Sequence, residues 1–173
     1  LLAIQYLARH YVHSGETASS AQKKAFYASK ADELIRQGIL AFEELDHVQT
    51  DYGTNEVFYY AALFVLKGRL EVLREKPASA LEYFEKAYAI NPGDAQNAFY
   101  AAKINKEMAL HTDEMASISL ARKSFDAYAQ FVRLQSNDPV WQKQILIGLS
   151  DYEKLFPYLK QEIDGVRENI SRV

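Results

Sequence analysis

Apolar residues recur at helical spacing along almost the whole chain, and the densest run sits near its middle. Residues 57–66 are ten apolar positions without a charge, flanked by Glu56 and Lys67. Such a run is too short to span a bilayer and too continuous for one exposed amphipathic face, so it predicts a helix covered on several sides. The next run has a polar back: Ala80, Leu81, Phe84, Ala87, Tyr88 and Ile90 form one stripe, opposite Glu82, Glu85 and Lys86. Pro77 suits a first helical turn, and Asn91-Pro92-Gly93 cannot continue a helix. The two helices with their short turn predict a hairpin over 55–92.

The same reading extends in both directions. Leu1, Ile4, Leu7, Ala8, Tyr11 and Val12 predict a first helix ended by Ser14-Gly15. A long second helix is expected from about 16–20 to His47, with Ala28, Ala31, Ile35, Gly38, Phe42 and Leu45 on one seam that packs within the domain. Gln49 to Thr54 reads as a connection, with Thr54 or Asn55 capping the next helix. Beyond the central hairpin, Asp94 caps a helix over 95–110 that carries Phe99, Ala102, Ile104 and Met108. The acidic turn Thr112-Asp113-Glu114 opens another, with Ile118, Ala121, Phe125, Tyr128 and Val132. Asp138-Pro139 starts a shorter helix over 140–148. Ser150-Asp151-Tyr152-Glu153 has capping-box spacing, and Pro157 opens a last helix with Leu159, Ile163, Val166 and Ile170.

An internal repeat runs through these elements. Ala80, Phe84 and Ala87 lie at offsets 0, 4 and 7; Ala31, Ile35 and Gly38 keep those offsets, as do Ala121, Phe125 and Tyr128. Gly68, with Ala80, Phe84, Ala87 and Pro92 after it, resembles the tetratricopeptide repeat (TPR) pattern, and Phe64 falls where that family prefers a large aromatic. Leu7, Ala8 and Tyr11 with Gly15 also resemble the first helix of such a repeat. Lys67 and Glu71 depart from it, standing where Leu and Tyr are usual, with Leu66 and Leu70 one residue earlier. The resemblance covers about residues 1–135 and is specific over 68–93. It implies an all-α superhelix (solenoid) of three TPR-like helical hairpins, about 1–47, 55–92 and 94–135. Capping helices over 139–173 complete a single domain, sealed by Trp141, Ile145 and Leu149.

Composition narrows the chemistry. The 173 residues suffice for one ordinary domain with a sizeable core. Twenty Lys and Arg against 23 Asp and Glu leave a net charge of −3, with no basic run longer than Lys23-Lys24, which argues against nucleic acid as a partner. With no Cys, disulfide frameworks, Cys-based zinc sites and thiol chemistry are excluded, while the compartment stays open. No stretch reads as a signal peptide, and Leu1 in place of an initiator Met suggests a processed chain or a piece of a longer one.

There is no Gly-rich phosphate loop and no nucleophile elbow, so neither an enzyme nor a cofactor is expected. His10 and His13 with Glu16 have the spacing of metal ligands but lack a third convergent donor, and two ordinary polar helix residues account for them. Asn169-Ile170-Ser171 fits a glycosylation acceptor, a weak signal without secretion.

The resemblance implies a concave groove lined by the first helix of each hairpin, where an extended peptide or helix binds. The equivalent positions are Arg9, Arg69 and Lys103, with Gln5, Val65 and Phe99 one turn before and Val12, Val72 and Lys106 one turn after. Three cations among apolar residues suit a partner of acidic character. The expected function is a non-catalytic adaptor or scaffold that binds a protein or peptide. The alternative is a small-molecule-binding repeat protein, such as an accessory component of a transport or envelope system, with a pocket lined by Tyr60, Phe64 and Phe99.

Overall fold

The computed structural model describes residues 2–46 and 54–171, and side chains within 2–44 and 56–170. Most of the connection expected at Gln49 to Thr54, His47, the seam side chain of Leu45 and the capping side chains of Thr54 and Asn55 lie outside the described residues. Those that are described form helices and no strand: α1 Leu2–Thr17, α2 Ala21–Asp46, α3 Thr54–Leu73, α4 Pro77–Ile90, α5 Ala95–Ala109, α6 Glu114–Gln135 and α7 Pro139–Leu155. A 3₁₀ turn, Pro157–Leu159, then leads into α8, Lys160–Ser171. Among the described residues no helix is long and apolar enough to cross a membrane. The chain divides into two compact units, Leu1–Pro92 and Gly93–Val173.

In the first unit α1 pairs with α2 and α3 with α4, while α3 also packs on α1 and α2. That explains the later part of the apolar run, where residues 61–66 are all buried, whereas Phe58 in its earlier part is 41% exposed. The core joins Ala8 and Val12 of α1, Ala28, Ala31 and Ile35 of α2, and Leu63, Leu66 and Leu70 of α3. Gly68 sets how closely α3 approaches α4, because a Cβ built there would lie 2.6–2.8 Å from the fully buried ring of Phe84. Gly15, expected to end α1, is instead a close-approach point inside it: its Cβ would meet Leu73 at 3.2 Å and Tyr27 at 3.6 Å.

Lys67 and Glu71, which break the repeat pattern, belong to an ionic network that ties α3 to α2. Lys67 pairs with Asp32 and, at 3.4 Å, with Glu71; Arg74 pairs with Asp32 and with Glu71, each at 2.8 Å. Burial alone would raise the Asp32 pKa, but hydrogen bonds and charge from Lys67 and Arg74 outweigh it and hold the carboxyl below its usual range.

Helix α3 ends in a Schellman motif. The Lys76 N–H donates to Glu71 O at 2.9 Å and the Glu75 N–H to Val72 O at 3.0 Å, and Pro77 then opens α4. Glu75, at the position this motif reserves for glycine, is the one non-glycine residue with positive φ (59°) among those described. Left-handed backbone is penalised for residues with a Cβ. Glu75→Gly is therefore expected to stabilise the chain by about 1 kcal/mol, read from the midpoint of urea unfolding.

In the second unit α5 pairs with α6, α7 packs on α6, and α8 returns onto α7. Asp94 and Asp138 cap their helices as expected, accepting from the N–H groups of Gln96 and Val140, and Asp113, expected only as part of an acidic first turn, caps α6 by accepting from the N–H of Ala116. All nine residues of the three repeat triplets are buried. Two expectations need correction. Ser150-Asp151-Tyr152-Glu153 does not start a helix, because α7 continues to Leu155 so that Tyr152 can enter the core. Ile145 and Leu149 are fully buried, but Trp141 is 38% exposed, set edge-on to Phe131 at 5.6 Å, and Tyr152 takes the sealing role assigned to it.

Candidate functional site

Helices α5 and α7 present facing rows. On α5, Phe99, Lys103 and Lys106 recur at helical spacing; on α7, Gln144, Ile147 and Asp151 do the same. Together with Ala102, Glu107, Gly148 and two tyrosines they line a recess of about 330 Å³ within the second unit. The Phe99 end is apolar, backed by Phe131, whose ring lies 5.3 Å from that of Phe99. Towards the other end stand two cations, Lys103 and Lys106, and two carboxylates, Glu107 and Asp151.

Tyr128 reaches the recess from α6 because position 148 has no side chain. A Cβ at Gly148 would lie 2.0 Å from the Tyr128 hydroxyl, which donates to Ile145 O at 3.1 Å. Burial, aided by the Asp151 charge, pushes the Tyr128 pKa up to about 12, so the phenol stays protonated. Tyr152 is held by Ser124, whose hydroxyl also donates to Ala102 O at 2.6 Å, and burial raises the Tyr152 pKa as well. Lys106 Nζ sits 5.4 Å from the centre of the Tyr152 ring, a cation–π contact that orients it along the recess wall. Both tyrosine hydroxyls of the floor are thus hydrogen-bonded, while Phe99, Lys103 and Ile147 offer accessible surface above it.

The other positions expected in a groove fare differently. Gln5, Val12 and Val65 are buried, at 4%, 0% and 3% exposure, and present no surface to a partner. The correction has a simple cause: both turns flanking Ala8 on α1, and the turn before Gly68 on α3, point into the protein interior. Arg69 is not a free cation either, because it donates to both carboxylate oxygens of Glu16, at 2.9 and 2.6 Å, locking α3 to the end of α1. Arg9 and Val72 remain exposed in the first unit. Glu16 lies 53 residues before Arg69, so in the sequence it reads, like His10 and His13, as an ordinary polar helix residue. His13 does lie 3.8 Å from Glu16, but no three His, Asp or Glu side chains converge on a metal position among the described residues.

Of the aromatics expected to enclose a small-molecule pocket, Tyr60 stacks on Phe42 at 4.0 Å and Phe64 is buried beneath Tyr60 and Tyr83. Phe99, by contrast, lines the α5–α7 recess. The residues that sequence reasoning missed are Gln144, Ile147 and Asp151. Their helical spacing from Val140 onward was readable, but the seal assigned to Trp141, Ile145 and Leu149 drew attention to the opposite face of the same helix. Compared with family models, curated proteins and solved structures, the chain matches none.

Proposed function

We propose that this chain is a non-catalytic interaction module of TPR-like hairpins that holds a partner peptide or helix on the first helices of its hairpins. The observation that supports this most is the recess between α5 and α7, where an accessible aromatic and an aliphatic residue stand beside charged groups over a rigid floor. Apolar anchors next to oriented charges suit a protein segment, since the anchor supplies desolvation and the charges fix register. Glu107 and Asp151 balance Lys103 and Lys106, so the segment that fits carries charges of both signs around an apolar side chain, rather than the purely acidic character that the cations alone suggest. On the first unit the accessible counterparts are Arg9 and Val72.

The test is affinity capture with the intact chain beside two variants, Phe99→Ser/Lys103→Glu and Arg9→Glu/Val72→Ser, each checked for helicity by circular dichroism. Capture is expected to fall at least tenfold for the first variant while it stays folded, as loss of an aromatic anchor and reversal of a charge imply. Undiminished capture by both variants overturns the reading.

A further inference from the structure

A larger recess, about 710 Å³, belongs to the first unit and shares no residue with the α5–α7 recess. It runs from Ser19, just before α2, along that helix past Lys24, Ala25 and Ala28 to Asp32, and is lined as well by Leu73 at the end of α3 and by Arg74 and Glu75 just beyond it. Its volume falls within the range of about 300–1,000 Å³ usual for small-molecule sites. Alanines keep its floor low, and most of its charges are already spoken for. Asp32 and Arg74 pair with each other, and Arg36 pairs with Glu33.

Two charges of opposite sign remain. Among the described residues, the Lys24 ammonium and the Glu75 carboxylate have no ion-pair or hydrogen-bond partner, and both line this recess. Ser19 and Ser29 also line it. A ligand carrying both an ammonium and a carboxylate matches that pair, whereas a purely anionic ligand would leave Glu75 unanswered and a purely cationic one Lys24.

We propose that this recess binds a short peptide with both ends free, its carboxylate at Lys24 and its ammonium at Glu75, with small side chains over Ala25, Ala28 and Leu73. The site has its own residues and stands or falls without the protein-binding surface. Lys24 and Glu75 are exposed and carry no side-chain ion pair or hydrogen bond among the described residues, so both can be altered with the chain intact, and Glu75→Gly preserves the turn.

The experiment is isothermal titration of the intact chain with free-ended tripeptides of alanine, leucine and phenylalanine, beside their N-acetylated and C-amidated forms. Blocking either end is expected to weaken binding about tenfold or more, as loss of a charge-assisted hydrogen bond implies. Lys24→Gln should remove the penalty for C-amidation alone, and Glu75→Gly the penalty for acetylation alone. No binding by any free-ended tripeptide, equal binding of free and blocked forms, or an unchanged end preference in the two variants would each overturn the proposal.

Discussion

Phe84→Ala is expected to destabilise the first unit by about 4 kcal/mol, the middle of the range for a fully buried aromatic. The reason lies opposite the ring. Gly68 has no side chain that could move into the void, and the α3 backbone that carries it is held by contacts with α1, α2 and α4. The converse change, Gly68→Ala, drives a methyl to within 2.6–2.8 Å of the same ring and should cost about 1–3 kcal/mol, despite the better helix propensity of alanine. Combined, the two changes should cost distinctly less than their sum, because the added methyl enters the space the ring has left. A double-mutant cycle by chemical denaturation measures that coupling, and strict additivity would show that Gly68 and Phe84 do not set the α3–α4 distance.

Glu71→Ala should be nearly as damaging, at about 3 kcal/mol, for an electrostatic reason. The Glu71 side chain is only 6% exposed, and it is the carboxylate shared by Lys67 at 3.4 Å and Arg74 at 2.8 Å. Its removal leaves two largely buried cations with Asp32 as their remaining counter-charge. Replacing both ends of one contact, as in Lys67→Met/Glu71→Met, should cost much less, since paired charges recover little more than their desolvation. The same network gives a pH signature. Asp32 has a folded pKa below its unfolded value, so its stabilisation is complete above the ordinary carboxylate range, near pH 4, and is lost as pH falls through the folded value. Acid unfolding tracked by circular dichroism should shift to higher pH in Asp32→Asn, because that variant has already lost the contribution.

Helix starts and hairpins were legible wherever one residue type has one physical use. Pro77, and Asp138 with Pro139, announce first turns that no other element tolerates as well, and the 0, 4, 7 triplets mark the buried faces of α2, α4 and α6. The extent of α1 and α7 was not legible, because Gly15 and the Ser150–Glu153 tetrapeptide have two uses each. Glycine can end a helix or admit a neighbour, and the contacts of Leu73 and Tyr27 decide for the second. The tetrapeptide could cap a helix, but burial of Tyr152 outweighs the local signal.

For the candidate site, the unbroken apolar run of α3 hid which side faces inward. Without a polar back there is no phase to read, so Val65 could be assigned to a surface although it is buried. The ionic network was invisible for another reason. Asp32 lies 35 residues before Lys67 and 42 before Arg74, and in a sequence such charges look like any solvated helix face.

The exposed indole of Trp141 has a practical consequence. It is the chain's one tryptophan, it stands in the second unit, and through Phe131 its surroundings connect to Phe99 at the α5–α7 recess. Its emission is therefore a built-in optical gauge of that neighbourhood. Set against the ellipticity of the whole chain, it separates loss of the α5–α8 unit from loss of the α1–α4 unit without any label, and it reports an arriving segment at the recess by the change in its solvent exposure.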